Sequence, residues 1–155
     1  MSHRQSVRAI VIKDQSLLVM KRNKFGMVYY TLVGGGIEIG EEPEHALRRE
    51  LYEEAGLEVG AVRPVYMEDG SMYGVQYIYL CEYKGGEPAV QPTTIEAALN
   101  NGGQNTYTVM WLPFTELERV SFRSASLQAA IAGALRSGFP AAPVKLDWKP
   151  EIVAK

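Results

Sequence analysis

The chain has 155 residues, 46% of them hydrophobic and 22% charged, with a net charge of −2. That is an ordinary globular composition with length enough for one core, and it offers no electrostatic case for binding a nucleic acid polymer or an anionic membrane surface. A single cysteine, Cys81, excludes an internal disulfide framework and suits a reducing cytosol, the apolar stretch near the N-terminus is too short for the core of a signal peptide, and no run reaches the length of a membrane helix. The expectation is one cytoplasmic domain over residues 1–155, in which 139–155 forms an irregular, proline-rich tail.

In chain order, Val7 to Ile12 is rich in β-branched residues and Ser16 to Met20 is a second apolar run. Lys13, Asp14 and Gln15 separate them, which predicts a hairpin. Arg22 follows the second strand, where it either reaches a phosphate or lies at a solvated strand end. Met27 to Val33 reads as a third strand that stops at Gly34, Gly35 and Gly36, three residues suited to a tight loop with close backbone approach.

Pro43 fits the first turn of a helix, and Glu41, Glu42 and Glu44 lie where the macrodipole favours negative charge. The helix should run through Ala55 and end at Gly56, with Leu47, Leu51 and Ala55 facing the core. Beside that stripe, Glu50, Glu53 and Glu54 stand at i, i+3 and i+4 and crowd onto one side. Like charges so placed repel by about 0.2–0.5 kcal/mol per pair. A hard divalent cation with a preference for oxygen would neutralise them, and a site that gathers magnesium usually holds phosphate as well.

Further along, Val59 to Met67 and Val75 to Tyr83 read as strands, the second loosely alternating and fit for burial on both faces, with Glu68 to Gly74 as a turn-rich connection. Lys84 to Gln104 reads as a long loop with a short helical stretch at Ile95 to Leu99. Thr106 to Leu112 is a strand ended by Pro113, and Ser124 to Arg136 is a helix with Leu127, Ala130, Ile131 and Leu135 on one stripe. Strands interleaved with two main helices predict a mixed α/β layer architecture. Cys81, within an apolar strand, is expected to pack rather than react, and His3 and His45 to lie at the surface.

Gly35, five residues, Glu41, seven residues, Arg49-Glu50, Leu51, one residue, Glu53-Glu54, one residue, Gly56 and Leu57 match the Nudix box in full. The chain therefore resembles the Nudix hydrolases over this segment, and Tyr30-x-Leu32 and Trp111-Leu112-Pro113 resemble softer features of the same family. The resemblance implies an α/β/α sandwich with a mixed β-sheet, the box forming a glycine-rich loop, a helix and a further loop. It also implies hydrolysis of a nucleoside diphosphate linked to another group, with magnesium or manganese as cofactor. Glu50, Glu53 and Glu54 would then hold the metal, Glu41 would support the site, and the Gly35 and Gly36 backbone would complete the metal and phosphate environment. Arg49 would orient the glutamates by salt bridge.

Cations there would neutralise the non-bridging oxygens and polarise phosphorus, while a carboxylate takes a proton from the attacking water. Glu53 is the first candidate for that carboxylate or for bridging two metals, and Glu96, in the 84–104 loop, is the other candidate base. Tyr73, sixteen residues past the box, resembles a tyrosine that some dinucleoside polyphosphate hydrolases carry. Val33 replaces the usual proline before the glycines, and Glu42 takes the helix-cap position; neither change removes a ligand. The partner expected is a small nucleotide, with a homodimer as a further expectation. Nucleotide binding without hydrolysis is the alternative reading of the same fold.

Overall fold

The computed structural model describes residues 4–71, 74–89 and 105–150. Among them eight strands form one mixed sheet with two lobes. The strands are β1 (Gln5–Lys13), β2 (Ser16–Lys24), β3 (Met27–Thr31), β4 (Val33–Gly36), β5 (Val59–Ser71), β6 (Gly74–Tyr83), β7 (Asn105–Pro113) and β8 (Val144–Asp147). The helices are α1 (Pro43–Ala55) and α2 (Ala125–Ser137), and a 3-10 turn spans Phe114–Arg119.

The hairpin between β1 and β2 closes at Asp14 and Gln15, whose φ values of 48° and 59° lie in the left-handed region that two-residue hairpin turns require. Its strands pair only at Lys13↔Ser16 and Ile12↔Leu17. Beyond that point they part. The freed edge of β1 pairs with β4 from Ala9↔Val33 to Ser6↔Gly36, and its other edge runs parallel to β6. Meanwhile β2 joins β3 on one side and β7 on the other. One lobe is thus β4-β1-β6-β5-β8 and the other is β3-β2-β7.

Helices cover the sheet on its two faces. Along β1, Val7, Ala9 and Val11 pack with Leu47, Leu51 and Ala55 of α1, while Ile10 packs with Leu127 and Ile131 of α2. The same division holds on β6, where Ile78 and Leu80 face α2 and Tyr77, Tyr79 and Cys81 face α1. Each fully buried leucine or isoleucine in these layers contributes about 1.5–3 kcal/mol. The α/β/α arrangement read from the sequence is the one observed.

Local signals explain α1. Pro43 sits in the first turn, Gly56 caps the end at φ 66°, and its N–H donates to the carbonyl oxygens of Leu51 and Tyr52. Glu42 is the N-cap residue, and its side chain makes no cap hydrogen bond.

Several expectations need correction. Met27 to Val33 is not one strand, since β3 stops at Thr31 and Val33 pairs in β4, and Arg22 lies within β2 rather than after it, because β2 runs on to Lys24 between β3 and β7. Gly34, Gly35 and Gly36 are not a loop but most of β4, because the parting of β2 leaves a β1 edge whose backbone groups need partners. Glu68 to Ser71 continues β5 instead of turning, since Glu68 pairs with Gln76 and packs inward. Val144–Asp147, within the expected irregular tail, adds a parallel edge strand to β5. No helix among the described residues is long and apolar enough to cross a membrane.

Candidate active site

The strand β4 and helix α1 meet where the sheet opens. Gly34 N–H donates to Glu54 Oε2 at 3.1 Å, and the Gly35 backbone lies so close to Glu50 that an added Cβ would meet its carboxyl group at 2.6 Å. Gly34 is as tightly placed against β1, since a Cβ there would lie 1.9 Å from Val7 O. Only glycine allows both approaches at once.

Arg49 organises the acids around this backbone. Its Nε and Nη2 donate to Glu41 Oε2 and Oε1 at 2.8 and 2.9 Å, a two-pronged pair. Nη1 donates to Glu50 Oε1 at 3.0 Å and Glu53 Oε2 at 3.2 Å, and Nη2 reaches Gly36 O at 3.1 Å. The Arg49 hydrogen bonds, with the Glu38 N–H, hold the Glu41 carboxyl down at about 2. Burial pushes Glu50 above its ordinary range, opposed by Arg49. Arg49 itself is held above the usual arginine range, chiefly by Glu41. Glu53 is more open than Glu50, with 47% of its side chain exposed against 12%.

The donor set is one of hard oxygens: Glu41, Glu50, Glu53 and Glu54 against one paired arginine, next to carbonyls of a side-chain-free strand. That chemistry fits a divalent cation such as magnesium or manganese. Among the described residues no three acidic, histidine or cysteine side chains converge on one point, because the Arg49 guanidinium bridges Glu41, Glu50 and Glu53.

Next to Glu54 and Gly34–Gly36 opens a cavity of about 400 Å³ whose character is opposite. Arg4, Arg8, Arg22 and Arg123 line it, with Glu54 as its one lining acid among the described residues. Arg22 stands opposite Tyr29 on β3 and Tyr107 on β7, so the three form one row across the small lobe. Its guanidinium lies 3.5 Å from the Tyr107 ring centre, and Arg123 lies 4.2 Å from that of Tyr29. Behind the cavity, Glu68 is 1% exposed and accepts from Ser124 Oγ, from Ser126 Oγ at 2.7 Å and from Gln76 Nε2 at 3.3 Å. Gln76 Oε1 in turn accepts from Arg8 Nε at 2.9 Å.

The structure therefore brings together Gly35, Gly36, Glu41, Arg49, Glu50, Glu53 and Glu54, with Arg22 on the wall of the adjoining cavity. Glu96 and Tyr73 lie outside the described residues. Tyr29 and Tyr107 line the cavity, whereas Tyr30 packs against the α2 core. Cys81 is buried, and desolvation pushes its thiol up to about 12, which fits packing. Sequence reading missed Arg8, Gln76, Glu68 and Arg123. A polar residue within the apolar run Val7 to Ile12 was the one signal that could have found Arg8.

The NUDIX domain model matches residues 2–130. The chain belongs to the NUDIX domain family. This NUDIX chain is 28% identical over 87 residues to an NAD-capped RNA hydrolase NudC of Edwardsiella ictaluri, an alignment covering 56% of this chain and 34% of that protein. It thus spans about a third of the length of the curated relatives it matches. Among solved structures, it is similar to a NUDIX family hydrolase of Clostridium perfringens, with a TM-score of 0.66, 16% identity, and 88% and 99% of the two chains covered. It is also similar to a MutT NUDIX hydrolase of Burkholderia pseudomallei, with a TM-score of 0.58, 22% identity, and 74% and 86% covered. At these identities the structures speak for the NUDIX fold.

Proposed function

We propose that this chain is a divalent-metal-dependent pyrophosphohydrolase that cleaves a nucleoside diphosphate linked to another group. One observation carries the reading: Glu50, Glu53 and Glu54 stand on one helix against a glycine strand, gathered by Arg49, beside an arginine-lined cavity. Oxygen donors for cations and cationic donors for phosphate are thereby adjacent.

In this reading Glu50, Glu53, Glu54 and the Gly35 carbonyl hold magnesium or manganese, with Glu41 in support. Bound there, the metal supplies Lewis-acid polarisation of the phosphoryl group and a lowered pKa for water. The remaining work falls to the chain. Glu53, the more exposed acid, takes a proton from the attacking water or holds a second cation. Arg49 fixes the glutamate carboxylates, and the Gly36 backbone and Arg22 bind substrate, the former at its diphosphate and the latter from the cavity wall. The chain acts as one domain over residues 1–155, in the cytoplasm, with homodimerisation as a further part of the proposal.

Small nucleotides are the substrates of first choice. The capped RNA named in the curated relatives makes a nucleotide at an RNA end the second reading. A panel of both, followed by released phosphate with and without added phosphatase, separates them. Glu53→Gln should abolish turnover of the best substrate and leave the circular dichroism spectrum unchanged. Hydrolysis at a near wild-type rate by that variant would refute the role given to Glu53.

A further inference from the structure

Arg8 and Arg22 differ from Arg49 in what holds them. Arg49 is matched by carboxylates, whereas these two of the four cavity arginines are fixed by neutral groups. Arg8 donates to Gln76 Oε1 at 2.9 Å and to the carbonyls of Leu32 and Gly34 at 3.1 and 3.3 Å. Arg22 donates to Asn105 Oδ1 and, at 3.4 Å, to Tyr29 Oη, and stacks on Tyr107. Among the described residues no carboxylate is in ion-pair contact with either, and the buried Arg22 Nε has no hydrogen-bond acceptor. Partly buried charges of this kind are ordinarily compensated. Here two cations line one cavity on neutral supports, and no described carboxylate lies within ion-pair distance of either, although Glu50 feels the charge of Arg8 and Glu54 shares the cavity.

The Arg8 geometry is itself built from behind. Glu68, in the interior, accepts from two serines of the α2 start and from Gln76, which fixes the Gln76 amide so that its oxygen faces Arg8. A buried carboxylate spent on orienting an amide makes sense if the guanidinium beyond must sit in one place. Such preset, planar donors recognise phosphate and carboxylate oxygens in two-pronged fashion.

We propose that Arg8 and Arg22 form an anion subsite, distinct from the acidic helix, that takes a phosphate or carboxylate carried by the substrate outside its scissile diphosphate. The diphosphate lies by Glu54, Gly35 and Gly36, and the rest of the substrate extends along the cavity between β1 and the β3-β2-β7 wall, where Arg8 from the one side and Arg22 from the other meet the second anionic group. Gln76 and Glu68 are positioning residues for Arg8. This assignment rests on the pyrophosphohydrolase reading for the direction in which the substrate lies.

Two matched pairs, NADP with NAD and coenzyme A with dephospho-coenzyme A, differ by one phosphate ester. Calorimetric titration of each into the full chain in EDTA reads the subsite without metal or turnover. The phosphorylated member should bind about tenfold more tightly or better in at least one pair, a difference of about 1.4 kcal/mol. Arg8→Gln and Arg22→Gln should each bring that ratio towards one, and Gln76→Leu should reduce it while leaving both arginines in place. Equal affinity within both pairs overturns the subsite, as does a ratio untouched by all three variants. Should one arginine variant not fold, the other and Gln76→Leu decide the matter. Hydrolysis with magnesium is read separately. Binding preference without hydrolysis of any compound leaves the subsite standing and refutes the pyrophosphohydrolase reading; hydrolysis with no preference does the reverse.

Discussion

Gly35 and Glu50 share one space: the glycine lacks the atom that would occupy it, and the carboxyl group fills it, 2.6 Å from where a Cβ would stand. The neighbouring Gly34 is hemmed in by backbone instead, at 1.9 Å from Val7 O. A flexible carboxyl group can move aside, whereas a paired strand cannot. Gly34→Ala should therefore destabilise the fold by about 2–3 kcal/mol or more. Gly35→Ala should cost less, about 1 kcal/mol, the low end for adding a methyl group against a neighbour, yet displace Glu50 and lower kcat. Urea unfolding alongside steady-state kinetics checks both, and equal stability losses would refute the distinction.

Arg49→Lys keeps the charge and loses the fork that grips both Glu41 oxygens while reaching Glu50, Glu53 and the Gly36 carbonyl. Supporting contacts to metal-site carboxylates are typically worth about 10–100-fold in affinity or activity. A loss of kcat/KM in that range is expected, together with a higher magnesium concentration at half-maximal activity. Glu41→Gln should move both quantities the same way. Activity within twofold of wild type for either variant would remove Arg49 and Glu41 from the site's support.

Magnesium or manganese should raise the melting temperature. Binding at a hundred times Kd stabilises by about 2.7 kcal/mol, roughly 5–10 °C for a chain of this size. Differential scanning fluorimetry should show the rise, EDTA should reverse it, and Glu50→Gln combined with Glu54→Gln should flatten it. A flat wild-type response would return the acid cluster to a solvated helix face.

Burial pushes the Cys81 thiol up to about 12 from an ordinary 9. A raised value means that the folded state keeps its proton while the unfolded chain loses it. Its contribution is thus complete below pH 9 and lost as pH rises from 9 towards 12, by up to about 1.4 kcal/mol per pH unit. Wild type should lose stability more steeply than Cys81→Ala across that window, as followed by urea midpoints. Parallel slopes would show that the thiol does not carry the effect. In the same molecule, native Cys81 should resist thiol reagents at pH 8 and react on unfolding.

The parts of this fold that were legible in the sequence are the parts written locally. Pro43, Gly56 and the Leu47, Leu51, Ala55 stripe define α1 within fifteen residues, and the acids travel with it. What escaped was decided at long range. Glycines have low strand propensity, so β4 exists only because β1 offers it an edge. Glu68 reads as a turn residue until Ser124 and Ser126, more than fifty positions later, receive it in the interior. Val144–Asp147 is four residues between prolines, and β5 rather than its own composition makes it a strand. Arg8 was hidden for the same reason: its partners Gln76, Leu32 and Gly34 come from two other, distant stretches of chain.

The early parting of the first hairpin has a mechanical side. After two residue pairs, β1 and β2 share no ladder, and Arg8 and Arg22 sit out along separate prongs of the fork. Backbone joins the prongs where the chain crosses from β3 to β4 at Leu32; beyond that crossing no ladder ties β1 to β2 directly. For an anion gripped from both prongs, the ligand becomes the clasp: amides of β1 and β2 near the mouth should slow their hydrogen exchange together, while those at the turn stay as they were. A protein so made can be retuned for a longer or shorter substrate by altering the prongs alone, leaving the acids of α1 in their places.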